Sequence, residues 1–270
     1  MLLLRAKKLI SRLLAGNSRC EVCGFGARNR RYVDEQRRWA KLAKQSAAAA
    51  HAFCGKHLPE TGSLALDLTG DRDIEWSYVA ARIGRFAGPG KTVLDFGAGS
   101  GVLSLAAGST GARVLAIDLM PLQFPLSYSN IEFRKLDVMD LHEEDGLYDL
   151  IMNCSTIEHV GLAGRYGSTD RPDGDIEAMA KLRSLLAPNG HMVLVLPVGQ
   201  DEAFRPFHRV YGPERLPRLL DGYRVRESSY LRKNARNEWV VCEKEEALSE
   251  TGSARYYALG AMVLQAQGGE

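Results

Sequence analysis

The segment from Val93 to Gly101, which reads VLDFGAGSG, constrains the fold of this chain more than any other feature. An apolar run of strand length leads into three glycines at alternate positions, and a helical pattern opens at Gly101. Glycines permit a tight turn and let a ligand approach the backbone, because no Cβ stands in the way. The N-terminus of the helix then offers free N–H groups to a polar or anionic ligand. The segment therefore predicts an α/β fold with a ligand cleft at this turn.

The rest of the chain alternates apolar, strand-like runs with helical segments. The predicted strands are 92–96, 113–117, 131–136, 148–154, 191–198, 223–231 and 256–266, and the predicted helices are 71–86, 101–107, 175–186 and 211–220. Apolar strands separated by helices indicate a parallel sheet that is covered on both faces. We predict a seven-stranded, mostly parallel sheet over residues 71–270, with the last strand antiparallel, and a basic helical extension over residues 1–70.

Asp118 ends the second predicted strand, 17 positions after Gly101. A carboxylate at this strand end can accept hydrogen bonds from both hydroxyls of a ribose, although a turn or helix-capping role is the simpler alternative. The dinucleotide fingerprint of nicotinamide enzymes has its third glycine one position after Gly101, where this chain has Val102. A nicotinamide oxidoreductase is therefore disfavoured.

Four runs in the order VLDFGAGSG, AID, KLDVMDL and YDLIMNCSTIEHVG resemble the successive motifs of class I S-adenosylmethionine-dependent methyltransferases, which have a Rossmann-like fold. The resemblance covers about residues 74–267 and implies S-adenosyl-L-methionine as the cofactor. It implies that the methionine portion is held at the glycine turn, the ribose at the end of the second strand, the adenine beside the third, and the sulfonium near the end of the fourth. Asp95, Gly97, Gly99 and Gly101 would hold the methionine portion, and Asp118 the ribose. Leu119, Asp137 and Val138 would lie at the adenine, and Asn153 to Ser155 near the sulfonium.

A candidate catalytic pair, Glu158 and His159, follows the fourth predicted strand. A neutral imidazole can take the proton of a hydroxyl as the methyl group arrives, although His159 can equally cap the loop or pack against the cofactor. The pair resembles the metal-binding pair of quinone-type O-methyltransferases, but the further acid of that motif is replaced here by Ser155. We therefore predict no metal site in this loop.

The loop after the fifth predicted strand carries His208, Arg209 and Tyr211. We predict His208 as a third catalytic candidate, and Arg209 as a possible clamp for a carboxylate or phosphate of the acceptor. Arg165 and Tyr166 lie in the glycine-bearing stretch 161–174, which has the composition of a lid. An ordinary surface loop is the alternative for each of them.

Residues 1–50 contain twelve Lys or Arg and three Asp or Glu, which gives this segment a net charge of +9. Because the whole chain has a net charge of +2, the remaining residues have a net charge of −7. Such a basic segment favours contact with an anionic surface, such as a membrane, nucleic acid or an acidic partner, or is a solvated helix face. The five cysteines do not form the pattern of a secreted disulfide scaffold, and we predict a cytoplasmic, possibly membrane-peripheral, protein. Cys20, Cys23, Cys54 and His57 have zinc-ligand character, but their spacing leaves free cysteines as the alternative.

The predicted function is S-adenosylmethionine-dependent methyl transfer to a hydroxyl of a sugar or another small polar molecule. A narrower resemblance, carried by CSTIEHVGLAGRYG and HRVYGPERL, is to a methyltransferase branch associated with glycan synthesis. Asn153 to Thr156 lack the prolines and aromatic residue that mark amino-group methylation in this superfamily. An RNA or protein methyltransferase that uses the basic segment, and a non-catalytic scaffold that keeps the cofactor fold, remain as alternatives, and affinity that falls steeply with salt would indicate the RNA enzyme.

Overall fold

A computed structural model describes residues 72–121, 128–164, 166, 169–235 and 238–267 of the chain. The predicted basic helical extension, its anionic contacts and the candidate zinc ligands lie outside these residues. Arg165 of the predicted lid also lies outside them.

The described residues form five α-helices and ten strands. The helices are α1 (Arg72–Phe86), α2 (Val102–Gly108), α3 (Gly174–Ser184), α4 (Arg215–Leu219) and α5 (Lys244–Ser249). The strands are β1 (Thr92–Phe96), β2 (Arg113–Asp118), β3 (Ile131–Lys135), β4 (Tyr148–Cys154), β5 (Leu186–Val198), β6 (Glu202–Phe204), β7 (His208–Val210), β8 (Tyr223–Lys233), β9 (Trp239–Cys242) and β10 (Ala258–Ala266). Three short 3₁₀ turns cover Val138–Asp140, Glu143–Asp145 and Ile157–His159.

Eight of the strands form one sheet in the order β3-β2-β1-β4-β5-β10-β8-β9, and β6 and β7 form a separate hairpin. The first five strands of that order pair in parallel, and the last three pair antiparallel with their neighbours. The chain first moves outward from β1 to β2 and β3, then returns to the other side of β1 with β4. Strand order therefore reverses between β1 and β4, the position at which open α/β sheets bind ligands.

Hydrophobic cores cover both faces of the sheet, which explains the uninterrupted apolar character of its central strands. One core packs β-strand residues such as Leu94 and Ile151 against α3, and the other packs Val93 and Leu150 against α1 and α2. Neighbouring residues of β1 and β4 thus belong to opposite cores, as the alternation of side chains along a strand requires. The prediction of a mostly parallel sheet with helices on both faces is confirmed.

The structure differs from the prediction in detail. The sheet has eight strands rather than seven, because Trp239–Cys242 adds an edge strand to β8. The predicted helix 211–220 is reduced to Arg215–Leu219, since Tyr211 instead bridges to Val198 beside β5. No helix within the described ranges is long and apolar enough to cross a membrane.

Candidate active site

A cavity of about 480 Å³ opens at the carboxyl ends of β1, β2 and β4, where strand order reverses. Its size is in the range of small-molecule and cofactor sites. It is lined by the glycine turn after β1, the ends of β2 and β4, the turn after β3 and part of the 161–174 segment. Of the residues predicted from the sequence, it brings together Asp95, Gly97, Gly99, Asp118, Leu119, Asp137, Val138 and His159.

Three of the five residues in the glycine turn lack a side chain, and these three adopt a backbone conformation that glycine favours. Gly97, Gly99 and Gly101 have φ values of 73°, 53° and 71°, which lie in the left-handed region. The N–H groups of Gly97 and Ala98 both donate to the carbonyl of Ile117 in β2, at 2.9 and 3.0 Å, and these bonds tie the turn to the neighbouring strand. A Cβ added to Gly97 would lie 2.2 Å from Cγ2 of Thr156, so the chain end of β4 packs directly on this glycine.

Asp118 lines the cavity and is hydrogen-bonded to the glycine turn. One carboxylate oxygen accepts from the N–H of Gly99 at 2.9 Å, and the other accepts from the N–H of Met120 at 2.8 Å. Each carboxylate oxygen has two acceptor positions, so both retain capacity for a further donor such as a hydroxyl. Asp118 therefore orders the glycine turn and presents acceptor sites to the cavity at the same time.

Asp95 lies beneath the turn at the end of β1 and is buried, with Oγ of Ser104 donating to it at 2.5 Å. The pKa of Asp95 is raised from 3.8 to about 6, chiefly by burial; the Ser104 hydrogen bond lowers it, and the nearby charge of Asp118 adds to the rise. The cavity floor thus holds a carboxyl group that changes charge near neutral pH.

This raised pKa predicts a pH dependence of stability. Because the pKa is higher in the folded chain, the contribution of Asp95 is complete below its unfolded value near 3.8 and is lost as pH rises through about 6. The wild type should therefore lose stability relative to Asp95→Asn between about pH 4 and pH 7 in urea unfolding series. An equal slope for both proteins would contradict the assignment.

Asp149 is the matched control for that series, because its pKa moves the other way. Its partial burial is outweighed by hydrogen bonds from Lys91 and Thr92, which lower the pKa of this carboxyl. The stability that Asp149 contributes is present above its unfolded pKa and is lost as pH falls. Relative to Asp149→Asn, the wild type should therefore gain stability as pH rises, which is the opposite of the change expected for Asp95.

The turn after β3 forms the side of the cavity. Asp137 caps the 3₁₀ turn Val138–Asp140, and its carboxylate accepts from the N–H of Met139 at 3.0 Å. Leu136, Val138 and Met139 line the cavity here, together with Leu119 from the end of β2. An apolar slot with one carboxylate at its rim is suited to a flat ring that carries an amino group.

His159 lies at the opposite end of the cavity and is held in one orientation. Its Nδ1 is 2.6 Å from the carbonyl oxygen of Phe207, and its ring packs edge-on against Tyr166 with centroids 5.0 Å apart. A carbonyl only accepts hydrogen bonds, so Nδ1 carries the proton and the neutral ring has its lone pair on Nε2. That nitrogen lies 3.8 Å from Oε1 of Glu158.

Four predicted site residues do not reach the cavity wall in the part of the chain that the structure describes. Gly101 is the N-cap of α2 and acts through the backbone of the turn. Asn153 is fully buried, with Nδ2 3.7 Å from the sulfur of Met179, because the alternation of β4 directs it toward α3. Glu158 is buried behind His159, so it can act only through the imidazole.

His208 is the fourth, and Arg209 and Tyr211 do not line this cavity either. All three residues are buried, and His208 packs between the rings of Phe204 and Tyr257. The sequence analysis missed this burial, because it did not predict the β6–β7 hairpin to which His208 and Arg209 belong.

Arg209 instead holds together the two ends of the 161–174 segment. Its guanidinium donates to the carbonyls of Val160, Gly161, Arg171 and Pro172, with three of these contacts between 3.3 and 3.4 Å. A buried guanidinium needs such acceptors, and the fork of its N–H groups can reach several at once. The residue therefore shapes the cavity wall rather than clamping an acceptor.

A buried charge network lies behind this wall. Asp175 at the start of α3 accepts from Tyr211 at 2.9 Å and from two nitrogens of Arg215 at 2.9 and 2.5 Å. Burial, followed by the charge of Asp175, raises the pKa of Tyr211 well above its usual range. The tyrosine thus remains protonated and serves as a hydrogen-bond donor.

Several cavity residues were missed by the sequence reasoning. Trp76 reaches the cavity from α1, Thr156 follows β4, and Thr169 and Arg171 come from the 161–174 segment. The helix periodicity of α1 indicated a buried stripe, but no signal showed that this helix also faces the ligand. Among the described residues, no group of three or more His, Cys, Asp or Glu side chains is arranged to hold a metal ion.

Comparison with known sequences gives relatives among methyltransferases. The chain is 34% identical over 155 residues to the ubiquinone biosynthesis O-methyltransferase of Xanthomonas campestris pv. campestris strain B100, which is 54% of this chain and 58% of that protein. It is 31% identical over 125 residues to the protein of the same description from Acinetobacter baumannii strain ACICU, or 43% of this chain and 47% of the relative. The chain thus spans about half the length of these curated relatives.

Comparison with solved structures concerns the fold. The N-methyltransferase NodS of Bradyrhizobium japonicum WM9, in complex with S-adenosyl-L-homocysteine, is similar with a TM-score of 0.52 and 16% identity, over 81% of this chain and 99% of NodS. The [4+2]-cyclase SpnF is similar with a TM-score of 0.50 and 14% identity, over 72% of this chain and 84% of SpnF. The second structure shows that this fold is compatible with more than one chemistry.

A protein-family profile matches residues 99–257, a stretch that runs from within the glycine turn through the cavity loops and ends just before the last strand. This match covers more than half of the chain. The protein, which has the Rossmann-like fold of class I S-adenosylmethionine-dependent methyltransferases, therefore belongs to the family described as Caenorhabditis protein of unknown function, DUF268.

Proposed function

We propose that this protein is an S-adenosylmethionine-dependent methyltransferase that methylates a hydroxyl of a small polar acceptor. The observation that carries the proposal is the cavity at the β1–β4 switch point, where the three-glycine turn is hydrogen-bonded to the Asp118 carboxylate. The fold alone is insufficient support, because SpnF shares it. The sequence similarity to ubiquinone biosynthesis O-methyltransferases adds support for methyl transfer.

The cavity residues fit this cofactor. A Cβ on Gly99 would have no atom nearer than 3.9 Å, so the turn leaves room for a ligand to contact its backbone. Asp118 retains acceptor positions for two ribose hydroxyls, and the slot beside Asp137 can take adenine. When bound, S-adenosylmethionine supplies a methyl group on a positively charged sulfur.

Asp95 adds an electrostatic preference for a cation. A cationic ligand favours the ionised form of the Asp95 carboxyl, whose pKa burial has raised to about 6. Affinity for the cofactor should therefore increase as pH rises through that value. When ionised, Asp95 places a negative charge in a buried part of the cavity wall, where solvent screens it poorly.

His159 is the residue best placed to receive the acceptor's proton. His159 lines the cavity, and with Nδ1 donating to Phe207 the proton-accepting nitrogen of its neutral ring is Nε2. The nearby Glu158 carboxylate stabilises the imidazolium that forms when the proton arrives. We further propose a sugar as the acceptor, since Trp76, Tyr166 and Thr169 give the cavity lining both ring surfaces and hydroxyl groups.

Replacing His159 by glutamine should lower the rate of methyl transfer about tenfold without changing cofactor affinity. The expected loss is below the hundredfold or more that is usual for a general base, because a sulfonium is already a good leaving group and positioning supplies much of the rate. The measurement is S-adenosylhomocysteine formation at saturating acceptor, with His142→Gln as a control on an exposed loop. An undiminished rate in His159→Gln would show that the proton leaves by another route.

Label transfer from methyl-labelled S-adenosylmethionine tests the proposed acceptor class. The purified protein is incubated with monosaccharides, sugar nucleotides and phenols, and in parallel with bulk RNA and a protein extract. We expect labelled methyl ethers of small hydroxylated molecules. Label found in RNA or protein instead would support the macromolecular alternative and overturn the small-acceptor assignment.

A further inference from the structure

Ser155 has an unusual backbone at a position that faces the cavity. It follows the last residue of β4, lines the cavity, and has a φ of 51°, one of two positive values outside glycine in the described part of the chain. A serine in the left-handed region is held at a cost, and such positions cluster at binding sites. The strained backbone of Ser155 therefore suggests that its side chain has a role in the cavity.

The hydroxyl hydrogen of Ser155 is committed to a buried acid. Oγ donates to Oε1 of Glu75 at 2.5 Å, and Glu75 is only 1% exposed within α1. A hydroxyl has one hydrogen and two lone pairs, so this bond leaves Oγ only lone pairs to present to the cavity. Glu75 adjoins Trp76, which lines the cavity, so the helix that carries the acid belongs to the same wall.

Thr156 is arranged with the same polarity. Its Oγ1 lies 3.3 Å from the carbonyl oxygen of Cys154 and 3.5 Å from that of Gly97, so the hydrogen of this hydroxyl also points to the protein. The two consecutive hydroxyls therefore present oxygen lone pairs at the end of β4. A ligand group that carries positive charge is favoured there, and a hydrogen-bond acceptor is not.

We propose that Ser155, oriented by Glu75, recognises the positively charged methyl-sulfonium group and so distinguishes S-adenosylmethionine from its neutral product. This rests on the function proposed above. Ser155 Oγ is the contacting atom, and Glu75 is a positioning residue that fixes the direction of its hydrogen. The product lacks both the methyl group and the charge, so the same wall holds it less tightly and favours its release.

Calorimetric titration of the full chain with S-adenosylmethionine and with S-adenosylhomocysteine tests this directly. In Ser155→Gly, the affinity ratio of the two ligands should fall about fivefold, the size of one hydrogen-bond-like contact. Most of the loss should fall on S-adenosylmethionine. The glycine also relieves the left-handed backbone, so this variant is expected to fold.

The role of Glu75 is tested by replacing its carboxylate, which only accepts hydrogen bonds, with an amide that can also donate them. In Glu75→Gln the side-chain amide can donate to Ser155, which turns the hydroxyl hydrogen toward the cavity, so the ratio should fall at least as far. In the Ser155→Gly background the same substitution should have no further effect, because Glu75 acts through the hydroxyl. Glu132→Gln, which removes an exposed acid that pairs with Arg134, is the matched control.

The outcomes separate the two proposals. No binding of S-adenosylmethionine by the folded wild type would overturn the proposed function itself. Binding with an unchanged ratio in Ser155→Gly would overturn only the charge recognition, and an effect of Glu75→Gln that persists in the double variant would show that Glu75 acts elsewhere. If Glu75→Gln does not fold, Ser155→Gly and Ser155→Ala still decide whether the hydroxyl recognises the charge.

Discussion

Gly97→Ala is expected to lower folding stability by about 4 kcal/mol and to remove measurable binding of S-adenosylmethionine. Its new Cβ would lie 2.2, 2.3 and 2.8 Å from Cγ2, Oγ1 and Cβ of Thr156, and the last of these atoms cannot turn aside. Alanine must also adopt a φ of 73°, which an L side chain disfavours. Thr156 lines the cavity, so relief of the overlap moves the wall into the space for the ligand.

Two other glycines separate the causes in that experiment. Gly99→Ala has a left-handed φ of 53° but no clash, so it should lose only about 1 kcal/mol. Gly88→Ala, which has neither feature, should be close to neutral. Urea unfolding of the three variants provides the measurement, and a Gly97→Ala protein as stable as Gly99→Ala would show that the turn does not pack on Thr156 as described.

Asp118→Ala is expected to weaken binding of S-adenosylmethionine about a hundredfold while changing stability by only about 1 kcal/mol. Two hydrogen bonds from ribose hydroxyls to a charged group are lost, each of which is worth about 1.5 kcal/mol or more. The N–H groups of Gly99 and Met120 also lose their acceptor, so the turn is less well ordered for the ligand. Asp118 is half-buried, and these amides can regain water when the carboxylate is removed.

Asp118→Asn is the matched control, since it preserves shape but has one acceptor oxygen in place of two. It can keep one of the two backbone bonds and part of the ribose contact, so its affinity should fall between those of the wild type and alanine variant. Calorimetry gives all three affinities. If Asp118→Ala binds as tightly as the wild type, the ribose assignment is wrong and Asp118 serves the turn alone.

The sequence was most informative where a backbone requirement and a hydrophobic period coincide. The turn at Gly97 to Gly101 needs residues with a left-handed backbone after a buried strand, and the three alternate glycines that follow an apolar run indicate such a turn. The parallel strands were predictable because both of their faces are buried, which demands continuous apolar runs. Asp118 could be predicted as a cavity residue because it is the last residue of such a strand.

Features that depend on tertiary contacts were not predictable in the same way. Arg209 resembles an exposed anion clamp in sequence, but the β6–β7 hairpin buries it against four carbonyls. Asn153 precedes the cavity wall by one residue and faces α3, since a shift of one position on a strand reverses the face. Glu75 is 80 positions from Ser155, and no local pattern connects them.

Calorimetric titration of the wild-type chain with S-adenosylmethionine is the most direct test of the cavity as a cofactor site. We expect saturable binding of one molecule per chain with micromolar affinity, and no such binding in Gly97→Ala. A folded wild-type protein that gives no binding heat at any temperature tried, and whose melting temperature the ligand does not raise, would contradict it.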